Sequence, residues 1–171
     1  MAYQLEEINR RLKEDPAGFV AECDGVYQKR LETAAGRILE RMKESPIVLL
    51  SGPSGSGKTT TALKLEQELE RRGVQTHTIS MDNYFKTLNR KTAPRNAEGD
   101  IDYESPRLLD MDLLDETFTR LSRGEWVVVP KFEFARQMRN DSRGTLLKLD
   151  RNEIAIFEGI HALNDDIAGR H

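Results

Sequence analysis

Apolar positions recur at three- and four-residue steps through the first part of the chain and then give way to short unbroken runs. Leu5, Ile8 and Leu12 mark a short helix. Asp15-Pro16 supplies a cap followed by proline at the first helical position, where its missing N–H is harmless. Phe19, Val20, Cys23, Val26, Tyr27, Leu31, Ala34, Ile38 and Met42 then form one stripe. They predict a second amphipathic helix, weakened at Gly25 and Gly36 and stopped at Ser45-Pro46. Residues 1–44 therefore read as a helical extension. An apolar helix stripe usually packs on the chain's own core, so that is the favoured reading; a dimer or partner surface is the sharper one.

Ile47-Val48-Leu49-Leu50 is a continuous apolar run, as in strands buried on both faces. A helical pattern follows with Ala62, Leu65 and Leu69 on one side, ending at Arg71-Arg72-Gly73. Val74 to Met81 reads as a second strand. Residues 86–104 form a long polar loop whose basic side chains can draw an anionic substrate or merely be solvated. Ser105-Pro106 opens another helical region with Leu109, Leu113, Leu114, Phe118 and Leu121 inward, closed by Gly124. Trp126 to Val129 predicts a third buried strand. Lys131–Phe134 and Thr145–Leu149 both alternate, which predicts a β-hairpin with a basic tip carrying Arg136, Arg139 and Arg143. Ile154 to Phe157 is a fourth buried strand. Strands alternating with helices in this way make an α/β fold with a mainly parallel sheet.

Between the first strand and its helix lies Gly52-Pro53-Ser54-Gly55-Ser56-Gly57-Lys58-Thr59, a G-x-x-x-x-G-K-T phosphate-binding loop in its proper strand–loop–helix setting. Its glycines let backbone N–H groups close around phosphate oxygens, and the new helix adds its positive end. Gly52, Ser54, Gly55, Ser56, Gly57, Lys58, Thr59 and Thr60 are the candidate nucleotide contacts. Lys58 can reach the β- and γ-phosphates, and the Thr59 hydroxyl can serve Mg²⁺. Two carboxylates follow apolar strands. Glu158 suits the Walker-B role of holding Mg²⁺ directly or through water. Asp82 ends the second strand, on the side where α/β folds place ligands. Phosphoryl transfer to a hydroxyl needs a carboxylate there to take the proton. A GTPase switch would normally carry N-K-x-D, which this chain lacks. His77, His161 and His171 have no metal-site or triad spacing and read as packed or surface residues.

Composition narrows the class only slightly. The chain has 171 residues with a net charge of −3 and a pI near 5.7, so it shows no signature of a nucleic-acid partner. No apolar run is long enough to span a bilayer, and no membrane association is expected. Cys23 is the only cysteine, which rules out an internal disulfide; among apolar neighbours it is expected to be a packed thiol. A cytoplasmic setting fits these features.

The ordered set of motifs resembles the uridine kinase group of P-loop kinases, which includes phosphoribulokinase-like and pantothenate kinase-like members. The matching pieces are Gly52–Thr60, Ser80–Phe85, Asp102–Pro106 with Asp110 beyond, Val129–Phe134 and Ile156–Ile160. The resemblance implies a P-loop NTPase fold with α/β/α layers, a mainly parallel sheet and a projecting β-hairpin. The helical extension precedes it, and residues 45–171 form the kinase domain. It also implies ATP and Mg²⁺ as cofactors and transfer to the 5′-hydroxyl of a nucleoside. Asp82 would be the general base and Lys58 would stabilise the transferring phosphate, with Thr59 and Glu158 at the metal. Tyr84, Tyr103, Glu104, Phe132, Gln137 and Arg139, together with Asp82, would meet the acceptor.

Four departures from the family pattern bear on this reading. Phe132 stands where pyrimidine kinases usually have tyrosine, Gln137 where they have histidine, and Glu104 where they have aspartate. These changes leave the transfer chemistry intact and put uridine and cytidine specificity in doubt, with another small hydroxyl substrate such as a sugar phosphate as an alternative. The family also continues into a further strand and an arginine-rich lid, so four core strands are expected here where the family has five. A non-catalytic nucleotide-binding or interaction module is the competing reading.

Overall fold

In the computed structural model, which describes residues 4–168, two helices precede the first strand. α1 (Leu5–Glu14) and α2 (Pro16–Arg41) are separated by Asp15 alone. Its carboxylate accepts the Gly18 N–H at 2.9 Å and caps α2 ahead of Pro16. α2 runs unbroken through both of its inner glycines. Its stripe divides in two. Leu31 and Ala35 are buried in the same apolar cluster as Ala62, Leu65 and Leu69, whereas Val20 and Val26 near its start are exposed, as are Leu5 and Leu12 of α1. Packing on the core is thus observed for the second half of the stripe. Cys23 is half-buried rather than fully packed, because it belongs to the first half.

The remaining elements are β1 (Ile47–Ser51), α3 (Lys58–Arg71), β2 (Gln75–Ser80), α4 (Met111–Ser122), β3 (Val127–Val129), β4 (Phe132–Glu133), β5 (Met138–Arg139), β6 (Thr145–Leu147), β7 (Glu153–Gly159) and α5 (Asp165–Ala168). β7 lies between β1 and β2, parallel to both. Its alternation builds the layers. Ile154 and Ile156 face the cluster of α2 and α3, while Ala155 and Phe157 face Leu114, Phe118 and Leu121 of α4. Phe118 meets Phe157 edge-on with ring centroids 4.7 Å apart. Each large apolar side chain buried in this way contributes roughly 1.5–3 kcal/mol relative to exposure. Helices on both faces of a parallel sheet make the expected α/β architecture.

Two strand expectations are corrected. Val127–Val129 lies outside the parallel sheet and pairs antiparallel with β6, so that sheet has three strands among the described residues rather than four. The hairpin partners also differ: β4 pairs with β5, and β6 returns to β3. The reason is local. A 3₁₀ turn at Phe134–Arg136 and a left-handed Gln137 (φ 51°) reverse the chain within a few residues of Phe132, before Thr145 is reached.

Candidate active site

The phosphate loop leaves β1 at Ser51 and enters α3 at Lys58. Gly57 caps α3 at φ 85°, a backbone conformation that side chains rarely tolerate. At Gly52 the constraint is space, since a Cβ there would stand 2.7 Å from Ser56 Oγ and 3.2 Å from Lys58 Cγ. No side chain caps α3, which leaves its first N–H groups available to an anion. Lys58 folds back over the loop, with Nζ donating to the Pro53 carbonyl at 3.1 Å. Ser54, Gly55, Ser56, Thr59 and Thr60 are exposed. Behind the loop, the Tyr27 hydroxyl of α2 lies 2.9 Å from Thr61 Oγ1 in the first turn of α3.

Glu158 is in register with Leu50 on one side and Ser80 on the other, so it sits at the ends of all three parallel strands. Its exposure is 8%. The other buried glutamate, Glu68, is paired with both Arg71 and Arg72. Among the described residues no lysine or arginine pairs with Glu158. A buried carboxylate without a cationic partner is costly, and a divalent cation would relieve that cost. The described residues contain no cluster of three acidic, histidine or cysteine ligands. That fits a magnesium ion held mostly by phosphate, hydroxyl and water rather than by a protein cage. The donor set of Thr59 and Glu158 is compatible with such a site.

Asp82 lies in the 3₁₀ turn Met81–Tyr84 that follows β2. Burial pushes its carboxyl above the ordinary aspartate range, while the positive charges of Lys58 and His161 pull against that shift. Asp82, two positions past the end of β2, is therefore close enough to the phosphate-loop lysine for their charges to interact.

Beyond Asp82 the chain continues into an aromatic cavity of about 240 Å³, lined by Phe85, Lys86, Tyr103, Phe132, Phe134 and Gln137 among others. Phe132 is the buried centre of this group, with ring centroids 5.7 Å from Phe85 and 5.2 Å from Phe134. Its N–H donates to Asn83 Oδ1 at 3.2 Å, which fixes the hairpin beside the Asp82 turn. Gln137 donates from Nε2 to the Tyr103 hydroxyl at 3.4 Å across the cavity mouth.

Comparison with known proteins places this geometry in a family. Residues 47–169 match the model of the Phosphoribulokinase / Uridine kinase family. The chain belongs to that family. It is 35% identical over 117 residues to a uridine kinase of Schizosaccharomyces pombe, covering 68% of this chain and 25% of that protein. It is 32% identical over 126 residues to a uridine kinase of Staphylococcus aureus, covering 74% of this chain and 58% of the relative. The chain thus spans well under two thirds of either relative. A solved D-glycerate 3-kinase from Cryptococcus neoformans shares the fold at a TM-score of 0.59, with 20% identity over 77% of this chain and 52% of that one.

Within this P-loop kinase fold the expected acceptor residues separate into groups. Tyr103, Phe132 and Gln137 line one cavity. Glu104 is exposed beside it. Tyr84 is corrected: its exposure is 0%, its ring packs against Phe157, and burial pushes its phenol up to about 12. The tight 3₁₀ turn rotates Tyr84 into the core and leaves Phe85 at the cavity. Arg139 has its guanidinium engaged by Asp110 at 2.6 Å and Asp141 at 2.9 Å, and it joins the hairpin to the start of α4. Arg136 and Arg143 are both exposed and share one carboxylate, Glu133, at 3.5 Å. His77 pairs with Glu153 at 3.1 Å across the sheet. His171 lies outside the described residues. His161, which spacing alone leaves as a packed or surface residue, bonds to Glu104, 57 positions away, within electrostatic reach of Asp82.

Proposed function

We propose that the protein transfers the γ-phosphoryl group of ATP to a hydroxyl of a nucleoside, with the 5′-hydroxyl as the acceptor atom. The observation that carries this reading is the half-buried Asp82 carboxylate, within electrostatic reach of the phosphate-loop lysine and on the turn that leads to Phe85 and Lys86 at the aromatic cavity. The loop Gly52–Thr60 holds the triphosphate, and Lys58 turns from Pro53 to the transferring group. Thr59 and Glu158 would hold Mg²⁺, which when bound would supply positive charge to offset that of the triphosphate. Asp82 accepts the hydroxyl proton as the acceptor oxygen bonds to Pγ and the bond from Pγ to the β-bridging oxygen breaks, releasing ADP. Phe85, Phe132 and Phe134 supply flat apolar surface for a base, and Tyr103 and Gln137 supply polar groups at its edge.

The cavity favours an uncharged, planar acceptor over a sugar phosphate, because its lining is mostly aromatic and apolar with Lys86 as its cation. The test is a coupled assay of ATP consumption over a panel of nucleosides and sugars, repeated with Asp82→Asn. Loss of general-base catalysis lowers kcat on the order of 10²–10⁴-fold, with ATP binding retained. Near-normal turnover by Asp82→Asn would show that another group takes the proton.

A further inference from the structure

His161 follows the end of β7, three positions beyond Glu158. Its Nε2 lies 2.7 Å from the backbone oxygen of Glu104. A carbonyl oxygen only accepts, so Nε2 carries the proton and donates. The same imidazole is near enough to Asp82 for their charges to interact. It therefore bonds to the segment carrying Tyr103 and Glu104 and lies within electrostatic reach of the carboxylate assigned to take the proton.

The other hydrogen bonds of that segment run elsewhere. Glu104 N–H donates to Asp102 Oδ1 at 3.1 Å, Ser105 N–H to the Asp102 carbonyl at 3.3 Å, and Asp102 N–H to the Pro94 carbonyl at 2.9 Å. The Tyr103 hydroxyl meets Gln137 on the hairpin. These contacts shape the loop and join it to the hairpin. The His161 bond instead runs from residue 104 to the chain leaving the central strand.

We infer that His161 is a positioning residue, holding the Tyr103–Glu104 segment at a set distance from Asp82. The inference rests on the acceptor-site reading above. It is tested with His161→Ala and His161→Gln, the second of which can donate from an amide at nearly the same reach. Two readouts are taken: amide hydrogen exchange at residues 102–105, and steady-state kinetics with ATP and uridine. In His161→Ala, exchange at residues 102–105 accelerates and the KM for uridine rises about tenfold, while the KM for ATP stays within about twofold. His161→Gln restores both values toward wild type. Unchanged exchange and unchanged uridine KM in His161→Ala overturn the inference, and so does a His161→Gln variant that behaves like alanine. Absence of transfer to any nucleoside by the wild-type protein defeats the acceptor reading instead, and the exchange measurement still decides whether His161 ties down the loop.

Discussion

The two sides of the cleft are built by different means. On the nucleotide side, one contiguous run does the work: β1, the loop and α3 follow each other directly, and α3 packs Ala62, Leu65 and Leu69 into the core. The acceptor side is assembled from three separate segments. Phe132 N–H to Asn83, Arg139 to Asp110 and Leu88 N–H to the Gln137 carbonyl join them. It also leaves Phe134 and Tyr103 exposed, at 62% and 51%. A contiguous, core-backed site fixes charge positions tightly, whereas a site made of loops can change its shape without disturbing the core. Under the proposed function, phosphate handling belongs to the core-backed side and acceptor choice to the loop-built side, with Asp82 on the turn that leads into the latter.

Among the substitutions that test this contrast between the two sides, removing Lys58 gives the largest expected effect. Lys58→Ala deletes the one charge that the loop can swing from Pro53 toward a transferring phosphate. A lost electrostatic stabiliser of this kind costs on the order of 10²–10³ in kcat, and the wild-type melting temperature is retained because the side chain contributes little to the core. The measurement is kcat with ATP and nucleoside both saturating. A drop of less than tenfold would mean that the nucleotide side does not carry the chemistry.

Phe132→Ala probes the other side and is expected to act differently. Phe132 is 8% exposed and in contact with both Phe85 and Phe134, so its loss opens the aromatic surface. The KM for the nucleoside is expected to rise on the order of tenfold, as losing about 1.4 kcal/mol of aromatic contact requires, while ATP affinity is unchanged. Isothermal titration with ATP alone and kinetics with varied nucleoside separate the two. If ATP affinity falls as much as acceptor affinity, the two sides are one unit and the contrast fails.

The same division governs what could be read from the amino-acid sequence. The phosphate loop, α3 and the strand carrying Glu158 were legible because each depends on local spacing and on apolar runs a few residues long. The hairpin was only half legible. Alternation at Thr145–Leu147 announces a strand but contains nothing that names its partner, and the partner proved to be Val127–Val129. Tyr84 is assigned to the acceptor only through the resemblance, and the four-residue 3₁₀ turn that carries it sets its ring in the core instead. His161 reads from its spacing as a packed or surface residue, because its hydrogen bond to Glu104 is made across the fold and no sequence period encodes that.

The smallest expected effect checks whether the nucleotide side is independent in stability as well as in chemistry. Glu68 on α3 is buried between Arg71 at 2.8 Å and Arg72 at 2.6 Å, and Arg72 continues to the Glu32 carbonyl of α2 at 3.1 Å. The Arg71 hydrogen bond, followed by that from Arg72, holds the Glu68 carboxyl down at about 2, well below its ordinary 4.5. A depressed carboxyl stabilises the fold fully above the unfolded value and loses that contribution as pH falls toward the folded one. Glu68→Gln should therefore lower the melting temperature at neutral pH, on the order of a few °C for a chain of this size, with kcat and both KM values unchanged. The gap between variant and wild type should stay constant from about pH 6 to 8 and close between about pH 4.5 and 2. A gap that persists through that acid window would mean the side chain acts by packing rather than charge. A change in nucleoside KM would mean that strain in α3 reaches the loop-built side, because Glu68 itself touches no part of the acceptor cavity.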